Sequence, residues 1–199
     1  MKKHWGWLLL TFLTTLIYFI LPRPKGVIHY LAVPLDARLP IWPIFVWPYL
    51  VFLIVFWLVI LYAFWTDRRF VPLAKTITLT FLVAYVVYII YPTGVVRSTI
   101  SGTDWSSQLL GWLYRHDWPE KAFPSLHNAS AAVVIFYALI ERLRGRIWIV
   151  AFCIIVIMST VILKQHYLLD LVSGLALGSL ISWYFLVWSA RLVGGNKNS

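Results

Sequence analysis

Acidic side chains are scarce in this chain of 199 residues: 7 Asp and Glu stand against 17 Lys and Arg, and charged residues of both signs make up only 12%. A soluble globular domain carries about 25% charged residues, so that class is excluded. Disorder is excluded as well, because 61% of the residues are hydrophobic and 18% aromatic, the reverse of a chain too polar to collapse. Cysteine is equally rare. Cys153 stands alone inside an apolar run, so no internal disulfide can form and cysteine usage says nothing about redox compartment. Internal repeats and low-complexity stretches are lacking. The N-terminus begins with Lys2 and Lys3 before an apolar stretch, as a signal peptide does. However, Ile20-Leu21-Pro22-Arg23 offers no small-residue cleavage site, so the segment reads as a retained anchor.

What is abundant is apolar length. Mean hydropathy is +0.82, and charged or Pro-rich borders mark six apolar segments: Trp5–Pro22, Ile41–Trp65, Pro72–Pro92, Leu126–Ile140, Ile147–Leu163 and Leu171–Ala190. The pattern predicts an all-α, polytopic membrane protein of six transmembrane helices, built as a single membrane-embedded domain over residues 1–199. The second and sixth segments run uncharged for 25 and 20 residues. The fourth and fifth, at 15 and 17 residues, are short for a bilayer core of about 30 Å and are expected to extend into their polar flanks. Pro43 and Pro48 should kink the second span or delay its start.

The net charge of +10 and pI of 9.9 would point to nucleic acid in a soluble protein. Here the basic residues lie between apolar runs, where they set orientation and meet anionic headgroups of the membrane lipids; no nucleic-acid partner is expected. With the N-terminus inside, Lys2, Lys3, Arg68, Arg69, Lys75, Arg142, Arg144, Arg146, Arg191 and Lys197 are internal. Arg23, Lys25, Arg38, Arg97, Arg115, Lys121 and Lys164 are external. The balance of ten to seven, over shorter inner segments, favours cytoplasmic termini and a multi-pass protein of the plasma membrane.

Residues 93–125 form a connection of 33 residues, long enough to raise the question of function. From Trp105 to Trp118 its apolar residues recur at near-helical spacing. Two readings stay open: a helix lying flat at the interface with Trp105, Trp112 and Trp118 as anchors, or a loop that merely packs on the helices.

Ionisable residues near spans are functional candidates by default, and they fall into three groups. Arg97 follows the third segment. His127 opens the fourth in Pro124-Ser125-Leu126-His127. Lys164, His166 and Asp170 bridge the fifth and sixth. The third span ends, the fourth begins and the fifth returns at one side of the membrane, so Arg97, His127 and His166 share that side in either orientation. The residue types suit phosphate. His166 and Asp170 are spaced i, i+4, one helix face apart; a carboxylate there holds one imidazole nitrogen and leaves the other free to attack. A second histidine can protonate a leaving oxygen. Arg97 and Lys164 can neutralise phosphate oxygens, and the free N–H groups of a helix starting at Ser125 attract an anion. Singly, each has a structural reading: a capped helix, a buried pair, a snorkelling lysine, an interfacial arginine. Their common side and order favour function. No metal is expected, since two histidines and an aspartate lack compact ligand spacing. Gly174-x-x-x-Gly178 reads as close helix packing.

Together these residues resemble the type 2 phosphatidic acid phosphatase superfamily, whose pattern runs from an arginine motif through P-S-G-H to S-R-x-x-x-x-x-H-x-x-x-D. The second motif stands here as Pro124-Ser125-Leu126-His127, the third as Ser159-Thr160 followed by His166 and Asp170. The resemblance covers residues 91–180 by motif. It implies metal-independent chemistry without a cofactor, through a phosphohistidine at His166, with Asp170 as orienter and His127 as acid. It also implies a lipid phosphate as substrate and Arg97, Ser125, Leu126 and Lys164 about the phosphate. Three departures stand out. Ile90 lies where the first motif has lysine and Ser98 where it has proline; Leu126 replaces glycine; and Thr160 replaces arginine, with Lys164 the nearest charge to replace it. Pro-Ser-Leu-His with Lys-Gln-His-Tyr is similar to the branch containing inositol phosphorylceramide synthases, which transfer a phospho-headgroup to an alcohol. The expected activity is lipid phosphate hydrolysis at the outer face. The alternatives are transfer to an alcohol such as inositol and, in another class, a non-catalytic phosphate or lipid transporter. The lipid, its acceptor and the oligomeric state are not encoded in any motif.

Overall fold

The structure is a computed structural model that describes residues 4–22 and 26–188. Lys2, Lys3, Arg23, Lys25, Arg191, Lys197 and the end of the sixth apolar segment therefore lie outside the described residues. The described chain is all-helical: α1 (Trp5–Ile20), α2 (Pro34–Arg38), a 3-10 turn Pro43–Phe45 leading into α3 (Val46–Thr66), α4 (Phe70–Ile90), α5 (Trp105–His116), α6 (Leu126–Ile140), α7 (Arg146–Ile162) and α8 (Leu168–Ser182), which continues as a π-helical stretch over Trp183–Trp188. The second span does start late. Pro43 opens the 3-10 turn, and Pro48 sits in the first turn of α3, where its missing N–H would have had no helical partner. Residues 105–116, left open between helix and loop, are a helix capped by Asp104, whose carboxylate accepts from the N–H groups of Ser106 and Ser107. The Ser107 hydroxyl and these amides hold the Asp104 carboxyl below its ordinary pKa.

Among the described residues, three helices are long and apolar enough to cross a membrane: Pro43–Thr66, Phe70–Ile90 and Leu168–Trp188. The other apolar helices, α1, α6 and α7, have 16, 15 and 17 residues. At 1.5 Å per residue they reach about 23–26 Å, short of the hydrocarbon thickness. The expected extension into polar flanks does not occur. Ser125 caps α6 at its first residue, and α7 gains only Arg146. All these helices turn large apolar side chains outward, among them Phe12, Leu58, Ile90, Ile155 and Leu180, though α6 does so only at Leu139. Apolar groups outside a close-packed interior are what a lipid environment permits and water does not. The protein is a membrane protein.

α6 is the central helix, flanked by α4, α7 and α8. Its small side chains, Ala129, Ser130, Ala131, Ala132 and Ala138, are buried, as are Val133, Val134 and Tyr137. α1 lies on α4 through hydroxyls that satisfy themselves within the bundle: Thr14 and Thr76 donate back to Leu10 and Pro72, while Tyr85 donates to the Thr14 carbonyl. The Tyr85 bond joins the two helices where water is absent. At one end the chain reverses between α6 and α7 through Gly145 at φ +77°, a left-handed conformation glycine adopts without penalty. There Arg69 pairs with Glu141 at 2.9 Å and donates to the Leu186 carbonyl, and Tyr137 donates to the Arg68 carbonyl.

α8 meets α6 at backbone distance. A Cβ built on Gly174 would lie 2.3 Å from the Ser125 carbonyl oxygen, and one on Gly178 2.2 Å from that of Ala129. Positions 125 and 129 are one helical turn apart, as are 174 and 178, so the two contacts form a single docking stripe and the expected close packing is present. Gly178→Ala should therefore force the helices apart and destabilise the protein by about 1–3 kcal/mol, read as a lower thermal midpoint in detergent. Gly6→Ala, in α1 with nothing within 4 Å, should leave the midpoint unchanged. A Gly178→Ala midpoint equal to wild type contradicts the docking.

Candidate active site

The α6–α8 stripe places two motifs against each other. Ser125 caps α6 by accepting from the Asn128 amide at 3.3 Å, and its own N–H donates to the Asp170 carbonyl at 3.1 Å. Tyr88, at the end of α4, donates to the Pro124 carbonyl at 2.8 Å. Pro124-Ser125-Leu126-His127 is thus fixed from α4 and α8 at once. The His127 ring stacks on Tyr49 of α3, with centroids 4.1 Å apart and planes 13° apart, and meets Phe52 at 6.0 Å.

At the end of α7 the chain turns through Lys164 at φ +49°. The N–H groups of Gln165 and His166 both donate to the Thr160 carbonyl at 3.0 Å. His166 Nδ1 stands 3.7 Å from Asp170 Oδ2, and both residues are buried. The i, i+4 spacing does bring them together, but not on a shared helix face. α8 begins at Leu168 with Tyr167 as its cap, so His166 precedes the helix. The reason is local: the Asp170 carboxylate accepts from the Tyr167 N–H at 2.8 Å, which ends the helix at that residue and folds the preceding histidine back over the carboxylate. One carboxylate thereby caps the helix and faces the imidazole.

The cations sit differently from a pair of free phosphate ligands. Arg97 donates through Nη1 to the carbonyls of Tyr114 and Asp117, at 3.0 and 2.6 Å, and through Nη2 to Asp117 Oδ2 at 3.4 Å and to Gln165 Oε1. Its guanidinium lies 4.9 Å over the Tyr114 ring. Burial pushes the Tyr114 phenol up to about 12, so it remains a donor, to the Leu163 carbonyl at 2.7 Å. Lys164 donates to the backbone carbonyl of Asp36. The Asp36 carboxylate in turn accepts from the N–H groups of Leu168 and Val33, tying α2 to the turn between α7 and α8. Thr160 is fully buried and shares its hydroxyl with Asn128 at 3.1 Å, so the residue at the motif's arginine position is spent on helix packing. Arg97, Ser125, Leu126, His127, Lys164, His166 and Asp170 nevertheless gather at one end of the bundle. Short backbone pairings of Thr93 with His29 and Lys121 hold the loop across it.

Sequence reasoning missed Asp36, Asp117, Gln165, Tyr49 and Asn128. A usable sign existed for the two aspartates: in a chain with 7 acidic residues, one near a predicted span border is costly unless it has a partner. Gln165, Tyr49 and Asn128 carried no such mark.

Among the described residues, seven buried side-chain N or O atoms have no hydrogen-bond partner, and four belong to this cluster: Arg97 Nε, Gln165 Nε2, His166 Nδ1 and Asp170 Oδ1. Buried polar groups are rarely left so, and their concentration marks a place built for something else to complete. Residues 91–193, just over half the chain and spanning every member of the cluster, match the family model of the PAP2 superfamily. The chain belongs to the PAP2 superfamily. No curated protein and no solved structure matches it. Membership carries the general activity, a phosphatase or phosphotransferase acting on lipid phosphates. Within this PAP2 protein the histidine of the third motif is the one that faces the Asp170 carboxylate.

Proposed function

We propose that this protein hydrolyses a lipid phosphate through a phosphohistidine at His166. The observation that carries the reading is His166 itself: buried, its Nδ1 3.7 Å from the Asp170 carboxylate and without a hydrogen-bond partner. On substrate binding the 3.7 Å gap closes to a hydrogen bond, Asp170 holds the proton on Nδ1, and Nε2 keeps the lone pair. Nε2 attacks phosphorus, the bond to the lipid oxygen breaks, and His127 gives its proton to the departing alkoxide. Neutral His127 then takes a proton from water as that water attacks the phosphohistidine, which releases inorganic phosphate and restores both histidines. The N–H groups of Leu126 and His127 at the start of α6 receive phosphate oxygens, as helix starts do. Ser125 shapes that start, and Arg97 and Lys164 supply positive potential. The chemistry needs no metal and no cofactor.

Transfer to an alcohol is the second reading, and a specific observation favours it. Thr160 is bound to Asn128, and Arg97 is paired with Asp117, so the site holds less unbalanced positive charge than the motif implies. Both readings share the attack by His166. We also infer six spans with cytoplasmic termini and the site at the outer face of the plasma membrane. The three short helices would cross a bilayer thinned around them.

Two experiments bear on this. If His127 is the acid, its loss matters most when the leaving group is poor. In kcat, His127→Ala should lose about 10²–10⁴-fold on a lipid phosphate and far less on p-nitrophenyl phosphate, whose phenolate leaves unaided. Equal losses on both substrates reject the acid role. For orientation, Thr103, exposed before α5, is replaced by cysteine in a Cys153→Ser background. A membrane-impermeant maleimide should label it on intact cells, and labelling only after lysis reverses the topology.

A further inference from the structure

We propose that Gln165 is a substrate-contacting residue, its Nε2 donating to a phosphoryl oxygen of the bound lipid phosphate in an orientation set by the Arg97–Asp117 pair. The inference rests on the phosphoryl-transfer reading above.

A guanidinium can only donate. It has five N–H donors and no acceptor, so the Gln165 amide must present Oε1 to Arg97, as it does. Nε2 is thereby turned away from Arg97. It is buried within a residue 3% exposed, and it has no partner. A surface glutamine would turn its amide to water; this one cannot.

The orientation is enforced from several directions. Arg97 is itself held by the carbonyls of Tyr114 and Asp117 and by the Asp117 carboxylate. That carboxylate also accepts from the Tyr18 hydroxyl at 3.0 Å. A chain of bonds thus runs from α1 through Asp117 and Arg97 to one amide oxygen. The backbone is equally constrained, since Gln165 and His166 donate to the same Thr160 carbonyl and the Val96 N–H donates to the Tyr167 hydroxyl. Residues 96 and 97 therefore hold both neighbours of His166, Gln165 through Arg97 and Tyr167 through Val96.

A donor so fixed, one residue from the nucleophile, suits the group under attack. A transferring phosphoryl spreads its charge over three equatorial oxygens. The start of α6 accounts for some of that demand, while Thr160 supplies no charge. A neutral amide beside His166 provides a further donor without adding positive charge. Arg97, with four of its hydrogen bonds made to protein groups, acts through Gln165 as a positioning residue.

Gln165→Glu separates contact from architecture. The introduced carboxylate keeps an acceptor for Arg97, so a purely structural link survives or strengthens, but it cannot donate to an anion and repels one. Full-length protein purified in detergent is titrated calorimetrically with inorganic phosphate, and kcat and KM are measured on a short-chain lipid phosphate. The variant should keep the wild-type thermal midpoint and lose roughly tenfold or more in phosphate affinity, about 1.4 kcal/mol, with KM for the lipid raised in parallel. The loss should shrink as the pH falls toward the ordinary Glu pKa of about 4.3, where the carboxyl regains a donor. Unchanged phosphate affinity and KM in Gln165→Glu overturn the role of Gln165 alone. Wild-type protein that neither binds phosphate nor turns over lipid phosphate overturns the underlying reading and this inference with it. Should Gln165→Glu fail to fold, Gln165→Met is measured instead: the same loss without pH recovery supports the donor, and wild-type affinity overturns it.

Discussion

The contact on which the site depends is the approach of α8 to α6 without side chains between them. Gly174 and Gly178 let the carbonyls of Ser125 and Ala129 come where a Cβ would stand. That proximity allows the Ser125 N–H to reach the Asp170 carbonyl, so the caps of the two helices are joined. Moving α8 outward by the width of a methyl group would carry Asp170 away from the start of α6. Close packing of small residues is the usual means of association between helices in lipid, where no hydrophobic force drives them together. Here it also sets the geometry of the candidate chemistry.

The second constraint is the scarcity of negative charge. Asp104 caps α5, Asp67 pairs with His4, and Glu141 pairs with Arg69. Asp36, Asp117 and Asp170 hold the site: Asp36 braces the turn before α8, Asp117 balances Arg97, and Asp170 caps α8 while facing His166. In a medium that penalises unpaired charge, Asp36 and Asp117 each accept from more than one donor. Asp170 shows the economy best. The bond that ends α8 also turns His166 back onto the same carboxylate.

Much of this was legible from residue order, and the boundary is physical. Apolar runs predicted the helices within a few residues, Ser125 announced its cap, and the glycine pair announced its contact, because each depends on neighbours within about two helical turns. The common side of Arg97, His127 and His166 followed from counting crossings. What escaped was long-range. The partners of Arg97 lie 17, 20 and 68 positions away, and that of Lys164 lies 128 positions away; no local pattern encodes such pairs. The i, i+4 spacing of His166 and Asp170 predicted proximity correctly and its cause wrongly, since a helix and a capped helix start both bring those positions together.

In the proposed mechanism phosphorus bonds to His166 during turnover. The direct measurement is rapid quenching of the purified protein with a lipid phosphate labelled in its phosphoryl group, followed by peptide mapping. Label is expected on His166, stable in base, lost in acid, and absent from His166→Ala together with turnover. Label on a different residue, or undiminished turnover by His166→Ala, would contradict it.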